Sequence, residues 1–342
     1  MRHPNSPLRG HVVRELPGID WSTGNLGQGL SAGCGFALAA NLKKLDYHTF
    51  VVASDGEQTK GQNDESRRFA KKYGLNNLTV IIDYNDAQIT GPACKIMPVD
   101  IKANYLADGW KVLEVDGHSH GQIYTTIRKA IYDTSHPYAV ICRTLMGRDV
   151  EFMEIGGCKY HGRALTPDEM EKALKELRVE NDIEQLKKKR GKIFPNIKLK
   201  QKAIYPEIEI PEIHIRKPSE GKIGVRDAFG EFIKRLGENN RGKIVAFDCD
   251  LRDSVRLTAF AKTFPRYFFE SGVQEHSTAT ISGALSCEEI VSYWADFGVF
   301  NIDEVYNQLR LNDINATNLR LIATHLGIDV GADGKTHHCI DY

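Results

Sequence analysis

The sequence predicts an α/β fold made of two parallel-sheet units joined by a linker. In both halves of the 342-residue chain, short apolar runs alternate with longer segments that suit helices. Such alternation is typical of parallel sheets with right-handed crossovers. Residues 178–222, which contain a basic run and several prolines, interrupt the pattern. We therefore predict domains at residues 1–177 and 223–342, and this length favours about two domains.

The first unit contains a regular succession of predicted helices and strands. The predicted elements are a helix at 30–42, a strand at 49–53, a helix at 64–73, a strand at 79–83, a strand at 110–115, a helix at 122–132 and a strand at 138–144. A last helix, which ends near residue 177, has Thr166 as its predicted N-cap. Pro167 suits its first turn, and Glu169 can complete a capping box.

The linker and the second unit follow. Prolines at 195, 206, 211 and 218 favour an extended linker, because proline fixes φ and lacks an N–H donor. The basic run at 187–190 is interpreted as a solvated helix end, although it could also be a nucleic-acid patch. Beyond the linker we predict a helix at 227–236 and strands at 244–247, 267–269, 290–294 and 319–324.

Composition restricts the function classes. The chain carries 45 basic and 45 acidic residues, and a net charge of zero argues against a dedicated nucleic-acid binder. No apolar run could span a membrane, and the first residues lack the apolar core of a signal peptide. Seven cysteines without a CxxC pair fit no zinc ribbon and favour a reduced, cytoplasmic compartment. Cys34, Cys142 and Cys249 lie in apolar contexts and are predicted to be buried.

Two predicted strands end in oxygen-bearing side chains. Asp55 follows the strand at 49–53, and Asn85 follows the strand at 79–83. The carboxyl ends of neighbouring parallel strands share one edge of a sheet, where open α/β sheets bind ligands. A carboxylate and an amide oxygen at that edge suit a hard cation such as Mg²⁺. An Asp-Gly turn and a polar strand end would explain the same residues without a metal.

Several short motifs, each weak alone, occur in order along both halves of the chain. They lie at residues 16–18, 23–29, 159–162, 250–254, 272–276, 324–328 and 331–337. In this order they resemble the transketolase family, and the resemblance covers nearly the whole chain outside the linker. It implies two thiamine-diphosphate-binding-type domains. The first would be a pyrophosphate-binding domain that lacks its usual N-terminal part, and the second a pyrimidine-binding domain that is incomplete at its C-terminus.

The resemblance implies that the chain binds thiamine diphosphate with Mg²⁺, for which Ca²⁺ or Mn²⁺ could substitute. The metal ligands would be the side chains of Asp55 and Asn85 and the backbone carbonyl of Ala87. The cofactor-binding residues that match the family are Gly24, Leu26, Asp55, Gly56, Glu57, Asn85, His161, Asp250, Glu275, Phe297 and Phe300.

In the second unit the resemblance matches Glu275 to the catalytic glutamate that faces the N1′ nitrogen of the cofactor. The thiazolium carbon must lose a proton to become a nucleophilic ylid. A glutamic acid proton shared with N1′ favours the cofactor tautomer that removes the proton from the thiazolium carbon. Burial raises the pKa of the glutamate carboxyl group and so keeps its proton available. Phe297 and Phe300 would stack around the pyrimidine ring, although core packing would also explain them.

The remaining matched residues suit a sugar-phosphate substrate. The resemblance makes His11, His161 and His337 catalytic together with Glu275, since histidine moves protons near neutral pH. The implied substrate-binding residues are His11, His161, Arg226, Ser254, His325, Asp333 and His337. Arginine is apt there because it binds phosphate oxygens bidentately.

The implied reaction is that of a transketolase, which transfers a two-carbon ketol unit from a ketose phosphate to an aldose phosphate through a thiamine diphosphate ylid. The resemblance also implies a homodimer in which the first unit of one subunit faces the second unit of its partner. One alternative is an enzyme like 1-deoxyxylulose-5-phosphate synthase, which uses pyruvate. Another is a non-catalytic or partial subunit of a split transketolase, completed by another chain, because the family pattern begins before Met1 and continues past Tyr342.

Three single positions depart from the family pattern. Ser54 occurs where glycine is usual, and we expect it to be tolerated because serine is small. Lys60 occurs where many members have a glutamate that connects the two active sites, although Glu65 remains. Asp303 replaces an aromatic residue that lies near the pyrimidine in better-known members.

Overall fold

Two parallel sheets form the framework of the protein, which confirms the predicted α/β fold with two parallel-sheet units. The computed structural model describes residues 10–16, 18–193, 205–213, 215–327 and 333–337. Positions 17, 195, 328 and 331–332, which belong to the sequence motifs and the linker discussed above, lie outside the described residues.

The first sheet has the strand order β1-β2-β4-β3 in the described part of the chain. Its strands are β1 (Thr49–Ser54), β2 (Leu78–Tyr84), β3 (Lys111–Asp116) and β4 (Tyr138–Arg143), and all pairs are parallel. The inner strands β2 and β4 are largely apolar because both of their faces are covered. Ser54 pairs with Asp83, so the chain leaves β1 and β2 at the same edge of the sheet.

The second sheet repeats this plan with the order β6-β5-β7-β8. Its parallel strands are β5 (Ile244–Asp248), β6 (Phe268–Glu270), β7 (Val291–Phe297) and β8 (Leu319–Thr324). All of β5 and nearly all of β7 are buried, as expected for inner strands. The carboxyl end of β7 carries Asp296 and Phe297, and the end of β8 leads directly into His325.

Helices cover both sheets. They are α1 (Gly29–Lys43), α2 (Gly61–Lys72), α3 (Ala93–Ile96), α4 (Ile101–Ala107), α5 (His120–Tyr132), α6 (Glu151–Gly156), α7 (Pro167–Glu176), α8 (Ile183–Ile193), α9 (Val225–Asn239), α10 (Thr258–Thr263), α11 (Glu275–Ser286) and α12 (Tyr306–Ile314). The capping box predicted for α7 is confirmed, since Thr166 and Glu169 bond each other's backbone N–H groups. Within the described ranges, no helix combines the length and the apolar character that crossing a bilayer requires.

Helix α8 lies in the segment that was predicted to be extended, so the linker prediction is wrong for those residues. The reason is composition: Glu, Gln, Leu and Lys, all good helix formers, fill the start of α8, and the first proline follows only at position 195. The described lysines of the basic run, Lys187 to Lys189, are exposed on this helix, as expected of a solvated helix end. The predicted burial of Cys34, Cys142 and Cys249 is also confirmed.

Helices α1 and α11 join the two units face to face, and their close approach depends on small residues. A Cβ built on Gly35 of α1 would lie 2.5 Å from the carbonyl oxygen of Ile281 and 2.7 Å from the Cβ of Ala284, both in α11. An apolar core continues across this contact from Leu30 in the first unit to Trp294 in the second. The two sheets are therefore held in one packed body.

We expect Gly35→Ala to destabilise the protein by about 1–3 kcal/mol, because the added methyl group would press on the α11 backbone. Urea unfolding would measure the change. Gly121→Ala in α5 is the matched control, since a Cβ there meets no atom within 4 Å. The control should be neutral or stabilising by up to about 1 kcal/mol. Equal stability of the two variants would contradict the tight α1–α11 contact.

Candidate functional site

The glycine-rich segment at residues 24–29 lies against the residues that follow β1. Gly27 has a φ of +84°, which favours glycine, and its N–H donates to the Glu57 carboxylate. A Cβ built on Gly27 would lie 2.6 Å from the Cβ of Lys60. Burial raises the pKa of Glu57 to about 7, against the opposing effect of the Gly27 hydrogen bond. The loop is thus fixed beside the candidate metal ligands.

His11 and Gly24 are neighbours, as the family resemblance implies for two residues of one site. A Cβ built on Gly24 would lie 3.9 Å from the imidazole Cγ of His11. Ser54, the small residue that departs from the family glycine, fits without strain and accepts a hydrogen bond from the Glu57 N–H at 3.3 Å. This departure therefore leaves the local geometry intact.

Asp55 bridges the ends of β1 and β2. Its Oδ1 accepts from the Gly56 N–H and its Oδ2 from the Asp86 N–H, both at 2.6 Å. Asn85 Oδ1 accepts from the Ala87 N–H at 2.9 Å. Asp86 has a φ of +53°, so the chain turns sharply at this point. The turn brings the backbone after Asn85 to the Asp55 carboxylate.

The charges at this edge fit a cation. Asp55 is only 4% exposed, and burial raises the pKa of its carboxyl group. The two backbone hydrogen bonds oppose this effect, whereas the charges of Asp83 and Asp86 add to it. Each carboxylate oxygen has a second lone pair available for a ligand. A hard cation bound by Asp55 and Asn85 would offset this concentrated negative charge, so the residues present suit Mg²⁺.

Asp55 also faces accessible space. A cavity of about 380 Å³ opens beside it, and its lining includes Asp55, Tyr84, Ala93, Cys94, Ile141 and Arg143. Asp55 therefore borders accessible space, whereas Asn85 and Ala87 do not line this cavity.

Glu275 begins α11 and is half-buried. Burial raises the pKa of its carboxyl group, and the charges of Glu304 and Glu65 raise it further, while its own backbone N–H opposes them. One carboxylate oxygen of Glu275, one of Asp296 and the Cys249 sulfur all lie within 4.8 Å of one another. Glu275 therefore holds its proton to higher pH than an ordinary glutamate does.

Glu65 of the first unit bonds the first turn of α11, the helix that Glu275 begins. Its Oε2 accepts from the Ser277 N–H at 2.7 Å, and its Oε1 lies 3.9 Å from His276 Nδ1. The same nitrogen lies 3.6 Å from Glu304 Oε1. Sequence reasoning missed Glu304 and Asp296, although each is an acidic residue within eight positions of a candidate aromatic residue, which is a weak signal.

Four of the predicted residues form an aromatic group, which comprises Phe297, Phe300, His325 and His337. The Phe297 and Phe300 rings are nearly parallel, with centroids 6.1 Å apart. The His325 ring lies 3.7 Å from Phe297, and the His337 ring lies 5.5 Å from Phe300 at nearly a right angle. The structure thus brings together residues that are up to 40 positions apart in the sequence.

Arg226 and His325 are fixed in one hydrogen-bonded chain. Arg226 Nη1 donates to His325 Nε2 and to the Ser254 carbonyl oxygen, both at 3.0 Å. Arginine can only donate, so Nε2 accepts and the ring proton is on Nδ1. Nδ1 then donates to Thr324 Oγ1 at 2.8 Å, and the Thr324 hydroxyl donates to the Asp296 carbonyl oxygen at 3.1 Å. The three predicted residues Arg226, Ser254 and His325 are therefore adjacent.

Four other predicted residues lie outside the Asp55 group, which comprises Asp55, Asn85 and Ala87, and outside the Glu275 group, which comprises Glu275, Asp296 and Cys249. Leu26 is 58% exposed, and His161, Asp250 and Asp333 are exposed as well. The Asp250 N–H donates to Glu270 at 2.8 Å, and the His161 N–H donates to the Cys158 carbonyl oxygen. In the described ranges, no hydrogen bond or ion pair joins these four residues to the Asp55 group or to the Glu275 group. Their assignments remain predictions.

The Asp55 group and the Glu275 group are also separate from each other. Among the described residues, no hydrogen bond or ion pair connects Glu275 with Asp55 or Asn85. One chain therefore presents two half-sites, one at each sheet edge.

Comparison with known families matches both halves of the chain. Residues 1–190 match the family described as "Transketolase, thiamine diphosphate binding domain", and residues 221–342 match "Transketolase, pyrimidine binding domain". The chain belongs to the transketolase family. The two matches lie on either side of most of the predicted linker, with one family domain for each sheet.

Curated members of the family include longer transketolases and a protein named as a subunit. Human transketolase is 29% identical over 355 residues, which cover 100% of this chain and 54% of that protein. Transketolase-like protein 2 of Mus musculus is 27% identical over 344 residues, with the same coverage. An apulose-4-phosphate transketolase subunit of Phocaeicola vulgatus is 40% identical over 184 residues, or 54% of this chain and 64% of that protein. The chain spans about half the length of the two longer relatives.

Solved transketolase structures have the same fold. The Campylobacter jejuni enzyme aligns with a TM-score of 0.74 at 21% identity, covering 98% of this chain and 57% of that one. A Pichia stipitis transketolase in complex with sedoheptulose 7-phosphate aligns with a TM-score of 0.74 at 21% identity, covering 99% and 58%. At 21% sequence identity, the structural similarity to these enzymes supports the two-sheet architecture of this chain.

Proposed function

We propose that this protein is a transketolase that binds thiamine diphosphate and Mg²⁺ and transfers a two-carbon ketol unit from a ketose phosphate to an aldose phosphate. The observation that carries the proposal is Glu275, a half-buried carboxyl group of raised pKa that begins α11 within the matched pyrimidine-binding domain. The second sheet also supplies the aromatic group at the end of β7. The first sheet supplies the candidate metal ligands Asp55 and Asn85 at the ends of β1 and β2.

In this proposal the first unit holds the cofactor and its metal. Asp55, Asn85 and the Ala87 carbonyl would bind Mg²⁺, which in turn binds diphosphate oxygens. Gly24 and the fixed loop after it would allow the close approach of backbone to the cofactor. When bound, thiamine diphosphate supplies the nucleophilic carbon and the electron sink that carbon–carbon bond cleavage requires.

In the second unit Glu275 would hold a proton at the N1′ position of the pyrimidine. Its environment suits this task, because burial and the neighbouring carboxylates favour the protonated form. Phe297 and Phe300 would pack on the pyrimidine ring and exclude water from it. His337, which lies against Phe300, would contact the substrate hydroxyl groups.

Arg226 and Ser254 would bind the phosphate of the substrate. We expect Arg226→Lys to raise KM for a phosphorylated donor roughly 10- to 100-fold, since a charged hydrogen bond in fixed geometry is lost. Steady-state kinetics should show little change with a donor that lacks the phosphate. Arg235→Lys on the exposed face of α9 is the matched control. An unchanged KM for the phosphorylated donor would remove Arg226 from phosphate binding.

We propose further that complete sites form between chains. The two half-sites in one chain are not connected, which supports a homodimer that brings the Asp55 group of one subunit to the Glu275 group of its partner. The free cysteines of the described chain support a cytoplasmic, reducing location.

A specific observation also favours a complementary chain. Strand β1 lies at the edge of its sheet, and its side chains Phe50 and Val52 are 43% and 77% exposed. Such an apolar edge is usually covered in a folded protein. Together with the similarity to a protein named as a subunit, this supports a split transketolase.

The decisive experiment is an assay of ketol transfer. The purified chain would be supplied with thiamine diphosphate, Mg²⁺, a ketose phosphate such as xylulose 5-phosphate and an aldose phosphate. New sugar phosphates support the proposal. Release of carbon dioxide from added pyruvate would instead favour the synthase-like alternative. Cofactor binding without turnover, restored by a second polypeptide, would support the split enzyme.

A further inference from the structure

We propose that Asp296 and Glu275 form an electrostatically coupled carboxyl pair, and that Asp296 is a positioning residue for the proton that Glu275 holds. The use of that proton rests on the proposed function. The pair itself is a property of the chain and can be tested without cofactor or substrate.

The position of Asp296 is the first support. It lies near the end of the inner strand β7 and is 0% exposed. Its Oδ1 accepts from the Phe297 N–H at 2.7 Å, while its Oδ2 has no hydrogen-bond partner among the residues that the structure describes. An ionised oxygen that is buried without a partner is costly, so the carboxyl group favours its protonated form.

Two ionisable side chains lie close to the Asp296 carboxyl group. A carboxylate oxygen of Glu275 and the sulfur of Cys249 lie within 4.8 Å of an Asp296 oxygen and of each other. The Cys249 thiol is buried, which raises its pKa and keeps it neutral. Glu275 is thus the member of the cluster whose charge acts on Asp296. The Asp296 backbone is held at its carbonyl by Thr324, so the carboxyl group is fixed against α11.

The environment of the pair favours protonation. Burial and the Glu275 charge together raise the pKa of Asp296 to about 7, against the opposing effects of the Phe297 N–H, Cys249 and Trp294. Glu65 acts on Glu275 from α2, Glu304 acts on it from the π-helical segment Val299–Glu304, and His276 lies between these two carboxylates. Asp248 of β5 interacts with Asp296. Carboxyl groups this close do not both ionise readily, so the pair retains one proton to higher pH than Glu275 alone would.

Carboxyl NMR of the unliganded chain, labelled with carbon-13 in Asp and Glu, tests the pair. We expect the wild-type pair to titrate in two coupled steps. In Asp296→Asn we expect a single Glu275 step, at least about one pH unit below the upper wild-type step. Glu275→Gln should likewise reduce Asp296 to one step, and it provides the test if Asp296→Asn does not fold. The control Asp313→Asn, at an exposed position of α12, should change neither titration.

The pH profile of ketol transfer provides a second readout. In Asp296→Asn the alkaline limb of kcat should move down by about one pH unit with KM unchanged. A purely structural role would lower kcat equally at all pH values and would overturn the proposal. An identical Glu275 titration in wild type and Asp296→Asn would also overturn the proposal. Zn²⁺ binding by the wild type that Asp296→Asn abolishes would overturn it as well, since the cluster would then be a metal site. Absence of any ketol transfer would count against the proposed function, whereas the titration would still decide the pair.

Discussion

Glu275→Gln is expected to lower kcat for ketol transfer by roughly 10²- to 10⁴-fold, the range that a positioned acid–base group contributes. Glutamine keeps the size of the side chain but cannot give up or hold the carboxyl proton. Because Glu275 lies at the N-terminus of α11 with no other residue's side chain holding it in a hydrogen bond among the described residues, the substitution should leave the fold intact. Steady-state assays with saturating thiamine diphosphate and Mg²⁺ would measure the effect.

The matched control is Glu238→Gln, an exposed residue of α9 that pairs with Lys234. It should retain the wild-type kcat. Calorimetry should show that Glu275→Gln still binds the cofactor, since the candidate metal ligands Asp55 and Asn85 belong to the first unit. A Glu275→Gln variant with undiminished turnover would remove this residue from the mechanism and with it the main support for the proposed function.

The strands were predictable because their signal is local. Inner parallel strands are covered on both faces, so β2, β4 and β5 read as unbroken apolar runs. The ends of these runs gave the strand ends to within one or two residues, and so placed Asp55 and Asn85 at one edge before the structure was known. A parallel sheet makes this possible because its strand ends align.

Helix α11 was harder to predict than α1, which is also buried but was predicted at residues 30–42. Helix α11 consists mostly of small and hydroxyl-bearing residues and is buried almost all round, so it has no apolar stripe of helical period. What fixes it is its contact with α1, which is about 240 positions earlier in the chain. Because α11 lacks such a stripe, hydrophobic periodicity alone does not mark it as a helix.

The same limit applies to the candidate site. Each aromatic and histidine position was recognisable by family resemblance, but the tautomer of His325 follows only from the hydrogen bond that Arg226 donates. Asp296 and Glu304 gained meaning only when β7 and the turn after it were seen beside Glu275. The identity of candidate site residues can thus be predicted from sequence, whereas the neighbouring charges that shift their pKa values are known only from the fold.

Asp55→Ala is expected to weaken Mg²⁺-dependent binding of thiamine diphosphate by roughly 100-fold or more. Loss of a residue that merely orients a metal ligand commonly costs about 10- to 100-fold in metal affinity, and here a charged ligand itself is removed. The variant also leaves the N–H groups of Gly56 and Asp86 without their acceptor, so a stability loss of about 1–3 kcal/mol is expected. Calorimetric titration with and without Mg²⁺, together with urea unfolding, would measure the two effects separately.

Asp55→Asn separates binding from folding, because asparagine keeps one oxygen for a backbone N–H but loses the negative charge. It should lose less stability than the alanine variant and still bind the cofactor poorly. Asp116→Asn is the matched control, since Asp116 ends β3 in the same sheet and its carboxylate accepts from the His118 N–H. If Asp55→Asn bound the cofactor as tightly as the control, the carboxylate would be a polar strand end, and the metal would have to bind elsewhere.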